Sequence, residues 1–347
     1  MKFPLLISGP SSGGTHLLAT MLDMHPALAA GPEIWLLAHR EVFADWRVAQ
    51  PEIVRALRST HNPISRFARA RLKIGTRPPQ GRISSVMRSI QAYGLTPTQT
   101  ESMIRDASSL KEFFERFADR FMQQRDKHHG PGHGIWMEKT LDSIYRYDEI
   151  RAIWPETRVI VLARDGRDSC SSVIRRGSEP FPAYARWLAR LSAADSVRRR
   201  GDHVLVLRYE DLVDQTEQTL RTACDFLDIE FVDEMLTPER NEFWKQQTQY
   251  HGTWGATPTG GTISTKSIGA YTKRLTPEQI SLFWAVGLTR YGLAEYGAEL
   301  VTTADVMRTF GYQPEPGDEW TGLDGFEPTL PTTARLLAER YFEIREH

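Results

Sequence analysis

Short, almost continuous apolar runs alternate along this chain with segments in which apolar residues recur at helical spacing. The runs lie at residues 4–8, 135–140, 158–163 and 203–207, and such runs are typical of strands buried on both faces of a parallel sheet. A helical pattern follows each run. The alternation therefore predicts an α/β fold in which helices flank a central parallel sheet.

The spacing also predicts where the remaining elements lie. Residues 27–33 form a short link, and the region of about 41–134 is a mostly helical insertion in a single domain that spans residues 1–347. A segment rich in Pro, Gly and acidic residues belongs to a C-terminal extension at about 300–347. Residues 231–261 are expected to be irregular. Helices are predicted at about 34–56, 98–128, 141–154, 168–176, 182–200, 216–227, 277–287 and 332–345.

Composition narrows the class of protein. Hydrophobic residues make up 40% of the 347 positions and charged residues 25%, which is typical of a soluble globular protein. A net charge of −1 gives no overall attraction to nucleic acid or membrane. The two cysteines fit a reducing compartment better than a disulfide framework and are too few for a cysteine metal site. There is no signal-peptide pattern and no apolar run of membrane-spanning length. We expect a cytoplasmic protein without a nucleic-acid partner or a membrane span.

Residues 9–14 form a Gly- and Ser-rich turn between the first predicted strand and the first predicted helix, and Gly9 and Gly14 have the spacing of a P-loop. Such a turn directs backbone N–H groups and a helix N-terminus at a phosphate. Thr15 and His16 stand where a P-loop has Lys and Ser or Thr, which serve the β- and γ-phosphates and Mg²⁺. The turn predicts a phosphate cradle but argues against an ordinary ATPase or GTPase. A plain βα turn with small residues for tight packing is the alternative.

A second charged motif follows the strand predicted at residues 158–163. It begins with Arg164 and includes Ser172 eight residues later, in the next helix. An arginine fork and a hydroxyl at the carboxyl end of a parallel strand can bind a second phosphate. A surface cluster of ion pairs is the alternative interpretation.

Together these motifs resemble those of the sulfotransferase family, whose members transfer a sulfuryl group from 3′-phosphoadenosine 5′-phosphosulfate (PAPS). Residues 9–18 are similar to the family's 5′-phosphosulfate loop, and residues 164–172 resemble its 3′-phosphate motif. Three further matches follow in family order at residues 138–140, 207–227 and 267–278. The resemblance covers about residues 3–40 and 135–295. It implies a P-loop-like three-layer fold.

The resemblance also implies roles for individual residues. The segment of Ser11, Ser12, Gly13, Gly14, Thr15 and His16 would hold the 5′-phosphosulfate. Arg164, Ser172 and Tyr209 would contact the rest of the nucleotide, and Lys273 with Arg274 would close over it. Glu33 stands where the protein-tyrosine branch of the family has the base that takes the acceptor proton. A glutamate favoured by a helix N-terminus is the alternative for Glu33, and His16 and His25 are the other possible bases.

One position departs from the family pattern. The lysine or arginine of the family's loop aligns with Ser12, and a neutral hydroxyl stabilises developing charge less well than a cation does. We therefore expect another cation to replace it. Lys139 is the first choice, as the principal catalytic cation, and His16 is the second. Metal is not expected, because His128, His129 and His133 lie in a Gly-rich loop without a carboxylate pattern.

The acceptor is less well defined than the nucleotide. Residues 53–100 contain no acidic residue and carry nine Lys and Arg residues, so this segment could attract an anionic acceptor. A solvated basic face is the alternative. The acceptor would be a hydroxyl or amine of a small molecule, a glycan or a peptide, and nothing in the sequence indicates the oligomeric state. Two other classes stay open: a P-loop-type kinase that needs ATP and Mg²⁺, and a nucleotide-binding homologue with weak or lost catalysis.

Overall fold

The structure is a computed structural model that describes residues 4–59, 90, 93–127, 134–201, 203–246, 263–289 and 300–313. Its central feature is a five-stranded sheet with the strand order β2-β3-β1-β4-β5. The strands are β1 (Pro4–Ser8), β2 (Leu28–Ala30), β3 (Ile135–Glu138), β4 (Arg158–Ala163) and β5 (Val204–Arg208). Strand β3 pairs in parallel with both β1 and β2, with Pro4 opposite Trp136 and Leu28 opposite Ile135. The predicted α/β fold with a parallel sheet is confirmed.

Helices connect these strands, and a two-stranded antiparallel sheet of β6 (Gly287–Thr289) and β7 (Leu300–Thr302) lies near the end of the described chain. The α-helices are α1 (Thr15–Leu22), α2 (Trp46–Ser59), α3 (Pro97–Asp106), α4 (Leu110–Gln124), α5 (Tyr147–Ile153), α6 (Gly166–Ile174), α7 (Pro180–Arg198), α8 (Tyr209–Asp214), α9 (Thr216–Leu227), α10 (Glu242–Gln246), α11 (Pro277–Ala285) and α12 (Thr303–Thr309). Short 3₁₀ turns lie at Leu36–Ala38, Arg40–Phe43, Leu141–Arg146, Asp233–Leu236, Pro238–Arg240, Thr265–Ser267 and Ala270–Lys273.

Several element predictions were wrong in detail, among them the irregular segment expected at residues 231–261, whose described part contains two 3₁₀ turns and α10. The link predicted at residues 27–33 contains strand β2. Its three buried residues are too few to show a strand pattern in the sequence. The helix predicted at 34–56 is two 3₁₀ turns followed by α2, and Trp35 before them has a left-handed φ of 68°. The helix predicted at 141–154 begins as a 3₁₀ turn. The helix predicted at 98–128 is divided into α3 and α4, because Ser109 caps the start of α4.

The chain divides into two compact units, each built from several segments. The first unit comprises Met1–Ile7, Ala19–Val159 and Phe231–Gly261, and the second comprises Ser8–Leu18, Ile160–Glu230 and Thr262–His347. Helix α4 supplies much of the first core, because its phenylalanines at positions 113, 114, 117 and 121 lie on one buried face. Two of these rings pack against Trp136 of β3.

Helix α7 organises the second unit. Its Tyr184 and Trp187 are buried, and their rings lie 5.3 Å and 5.4 Å from the ring of Phe283 in α11. Gly166 begins α6 beside the same cluster, where a side chain would meet Phe283 at 2.3 Å. This packing fixes the start of α6, and that helix carries several of the polar residues described below.

Several predictions fall outside the described residues: the helix at 332–345, most of the basic segment at 53–100, His128, His129, His133 and residues 247–261. None of the helices within the described ranges combines the length and the apolar character needed to cross a membrane.

Candidate functional site

The loop after β1 forms a tight turn in the second unit. The N–H of Gly13 donates to the carbonyl of Pro10 at 2.9 Å, and α1 begins at Thr15. Ser12 has a left-handed φ of 62°, and Gly14 has a φ of 90°. A side chain at position 14 would meet the Tyr209 ring at 2.4 Å, so glycine is required there. The turn therefore places the first-turn N–H groups of α1, which have no partner within the helix, beside the two serines of the loop.

Two arginines bind Ser12. Arg164, at the carboxyl end of β4, donates from Nη1 to the Ser12 carbonyl at 2.6 Å and from Nη2 to the Ser267 carbonyl at 3.0 Å. Arg176, just after α6, donates from Nη2 to Ser12 Oγ at 2.5 Å and from Nη1 to Ser172 Oγ at 3.1 Å. Both residues predicted from the motif are thus linked to the loop. Arg164 binds it directly, and Ser172 is linked to it through Arg176.

Ser11 is held in the same way from two helices. Ser169 of α6 donates its hydroxyl to the Ser11 carbonyl at 2.6 Å, and Arg190 of α7 donates from Nη1 to Ser11 Oγ at 2.6 Å. Sequence reasoning missed Ser169, Arg190 and Arg176. Ser169 lies within the recognised motif and could have been proposed from its position one helical turn before Ser172. Nothing in the local pattern distinguishes the two arginines from the other arginines near them in the sequence.

A segment at residues 264–274 is attached to the same cluster. Asp168 accepts hydrogen bonds from the N–H groups of Gly269 and Tyr271 at 2.7 Å and 2.8 Å, and burial raises the pKa of its carboxyl. The Tyr209 hydroxyl lies 2.6 Å from Ser267 Oγ. Lys273 and Arg274 follow on this segment with exposed side chains, and within the described ranges neither one hydrogen-bonds to the loop.

The donor chemistry of this cluster fits a bound anion. Asp165 forms an ion pair with Arg167 at 2.7 Å, and Asp168 binds backbone N–H groups. Within the described part of the chain, neither Arg164 nor Arg176 forms an ion pair with a carboxylate. Arg164 Nε is buried there without a hydrogen-bond partner, and its guanidinium lies 4.2 Å from the centre of the Tyr209 ring. Arginines and hydroxyls in this arrangement are suited to phosphate or sulfate oxygens.

The remaining predicted residues of the loop lie in the same turn. Thr15 is buried at the first position of α1, and His16 follows it on the first turn with a partly buried side chain. His25 Nδ1 accepts from the N–H of Ala27 at 3.0 Å, so this histidine stabilises the turn after α1. No group of three His, Cys, Asp or Glu side chains suited to a metal ion occurs among the described residues.

The first unit contains an ion pair between Lys139 and Glu33. Lys139 Nζ lies 3.6 Å from Glu33 Oε1, and the side chains are 6% and 20% exposed. The neighbours of Lys139 position the chain around Glu33. Glu138 Oε1 accepts from the N–H of Ile34 at 3.3 Å, and Thr140 Oγ1 accepts from the N–H of Trp35 at 3.0 Å. The three residues at 138–140 thus act together, because two of them hold the backbone next to Glu33 and the third pairs with its carboxylate.

The segment before Glu33 is also fixed. The Tyr93 hydroxyl donates to the Pro32 carbonyl at 2.8 Å, and a side chain at Gly31 would meet the Tyr93 ring at 2.1 Å. Close approach of this ring therefore demands glycine at position 31. Asp23 accepts from the N–H of Ala30 at 2.8 Å. These bonds fix the backbone that leads into Glu33.

Family models and solved structures are similar to this chain. A family model described as "Sulfotransferase family" matches residues 4–233, and one described as "Sulfotransferase domain" matches residues 181–286. The sulfotransferase domain from the curacin biosynthetic pathway matches with a TM-score of 0.58 and 16% identity over 90% of this chain and 98% of that chain. The sulfotransferase domain of the olefin synthase from Synechococcus PCC 7002 matches with a TM-score of 0.49 and 17% identity over 78% and 93%. A search of curated proteins gives no match.

Proposed function

Because the chain belongs to the sulfotransferase family, we propose that it transfers a sulfuryl group from PAPS to a hydroxyl or amine of a small-molecule, glycan or peptide acceptor. The observation that carries this proposal is the set of bonds from Arg164, Arg176 and Arg190 to the two loop serines. These donors suit the anionic ends of the nucleotide.

The residues of the second unit would bind the nucleotide. The loop of residues 11–16 and the N-terminus of α1 would hold the 5′-phosphosulfate. Arg164 and Ser172 would hold the 3′-phosphate, and the segment that carries Lys273 and Arg274 would cover it. When bound, the nucleotide supplies the sulfuryl group: a bond from the acceptor atom to sulfur forms, the bond from sulfur to the 5′-phosphate oxygen breaks, and that oxygen keeps the electron pair.

Glu33 would take the proton of the acceptor. Its carboxylate lies beside Lys139, with Oε1 3.6 Å from the ammonium nitrogen, and a carboxylate can serve as a general base. Lys139 would also contribute positive charge as the sulfuryl group is transferred. The basic segment at residues 53–100 would favour an anionic acceptor, and the two free buried cysteines suit an enzyme of the reducing cytoplasm.

Calorimetry with 3′-phosphoadenosine 5′-phosphate, and separately with ATP and Mg²⁺, tests the nucleotide class. The bisphosphate is expected to bind without metal. Tight binding of ATP that requires Mg²⁺ would instead indicate a kinase. Transfer of a labelled sulfuryl group from PAPS to a panel of hydroxyl and amine acceptors then separates an active enzyme from a binding protein with lost catalysis.

Substitutions test the two proposed catalytic side chains. Glu33→Gln is expected to lower kcat by about 10²–10⁴-fold while the Kd for the bisphosphate stays the same. Glu41→Gln is the matched control, because Glu41 is exposed on the next turn of the chain and should retain full activity. Lys139→Ala is expected to lower kcat by about 10²–10³-fold. Near-full turnover in either active-site variant would remove that residue from the mechanism.

A further inference from the structure

We infer that Arg176 supplies the positive charge that the phosphate-binding loop lacks at Ser12, and that it acts on the 5′-phosphate end of the bound nucleotide. This inference rests on the proposed function, because it assigns a role in the same nucleotide site. Arg176 lies outside the loop, just after helix α6. It reaches the loop only through the fold, since 164 residues separate it from Ser12.

The position of the guanidinium carries the assignment. Its Nη2 lies 2.5 Å from Ser12 Oγ, and Ser12 is the loop residue that stands in place of a cation. The left-handed backbone of Ser12, with its φ of 62°, is held by the bond from Arg164 to its carbonyl. The Ser12 hydroxyl therefore accepts a hydrogen bond that keeps the Arg176 side chain at the loop. This is the position from which the lysine or arginine of the family's loop would extend.

The charge of Arg176 is available for an anionic ligand. In the described part of the chain its side chain bonds only to the hydroxyls of Ser12 and Ser172, and neutral hydroxyls do not cancel a positive charge. Arg176 is exposed beside the likewise exposed Arg175, so an approaching phosphate can reach its guanidinium. Arginine can also bind a phosphate with two parallel N–H groups.

Arg190 supports the same interpretation from the other side of the turn. It is buried in α7 and donates to Ser11 Oγ. The two consecutive hydroxyls of the loop therefore accept from two different arginines, one just after α6 and one within α7. A loop without a cation of its own is thus flanked by two cations from outside.

Because Arg176 also contacts Ser172, which is proposed to serve the 3′-phosphate, the test has to separate the two ends of the nucleotide. Calorimetry is carried out with 3′-phosphoadenosine 5′-phosphate, adenosine 5′-monophosphate and adenosine 3′-monophosphate. Arg176→Ala is expected to weaken binding of the first two ligands by about 10- to 100-fold and to leave binding of the 3′-monophosphate unchanged. Weaker binding of the 3′-monophosphate alone would overturn the assignment to the 5′ end.

Arg175→Ala is the matched control. Arg175 is the adjacent exposed arginine, and its side chain makes no bond with the loop among the described residues. This variant should bind all three ligands like the parent chain. If the parent binds the bisphosphate and Arg176→Ala binds it equally well, the inference fails while the proposed function stands. If the parent does not bind the bisphosphate at all, the proposed function itself fails.

Restoring the cation within the loop gives a second, independent test. Ser12→Lys places an ammonium group at the loop position, and lysine is not one of the β-branched residues for which a left-handed backbone is least accessible. Combined with Arg176→Ala, it is expected to recover at least 10-fold of the lost bisphosphate affinity, and to recover part of a kcat loss of about 10²–10³-fold with PAPS. Absence of any recovery in a folded double variant would show that Arg176 does not replace the loop cation.

Discussion

Asp23 is a fully buried carboxylate that joins three parts of the first unit. It accepts two hydrogen bonds from Arg125, at 2.6 Å and 2.7 Å, one from the N–H of Ala30 at 2.8 Å, and one from Asn241 Nδ2 at 2.7 Å. Its side chain is 0% exposed and that of Arg125 is 12% exposed. The carboxylate therefore satisfies four donors in a place that water does not reach.

Replacing this carboxylate by an amide should be strongly destabilising. In Asp23→Asn the new NH₂ group faces other donors, and the Arg125 charge loses its only close counter-charge among the described residues. Breaking a buried ion pair by removing one partner costs about 3–5 kcal/mol. At a urea slope of about 3 kcal/mol per M this corresponds to a fall of about 1–2 M in the unfolding midpoint. Urea unfolding followed by circular dichroism measures the change.

Two comparison variants make the result interpretable. Asp214→Asn removes an exposed carboxylate at the end of α8 and should change the free energy of unfolding by less than about 0.5 kcal/mol. The double variant Asp23→Leu with Arg125→Met removes both charges and should recover part of the loss, because a buried pair often contributes little over apolar residues of similar size. A loss below about 1 kcal/mol in Asp23→Asn would refute the reasoning.

Two further predictions concern the segment around Glu33. Gly31→Ala places a methyl group 2.1 Å from the Tyr93 ring and should destabilise the chain by about 1–3 kcal/mol in thermal unfolding. In the control Gly201→Ala the methyl group meets no atom within 4 Å, so no such loss is expected. Equal losses in the two variants would contradict the prediction. Burial raises the pKa of Glu138 above its ordinary 4.5, so the folded chain holds this proton more tightly and its stability falls as pH rises through the interval above about 4.5. The loss of unfolding free energy in Glu138→Gln, relative to the parent chain, should therefore shrink as pH rises. A loss that grows with pH would show that the pKa of Glu138 is lowered in the folded chain and would refute this reasoning.

The alternation of strands and helices could be predicted because a doubly covered strand leaves a continuous apolar run. Strand β4 is the clearest case, since five of its six residues are buried. Helix α9 begins and ends where the spacing predicts, at Thr216 and Leu227. Strand β2 could not be predicted in this way, because three residues are too few to establish a period, and only pairing with β3 identifies them as a strand.

The same division holds for the candidate site. The sequence by itself was enough to predict the loop at residues 9–14, Arg164 and Glu33 as candidate site residues, because each lies in a local stretch that resembles a family motif. The tertiary structure decided which residues meet them. Lys139 pairs with Glu33 and Arg176 binds Ser12 across more than a hundred residues of chain. A single arginine carries no periodic signal, so its partner depends on where the helix that bears it ends, and packing of the helices sets that position.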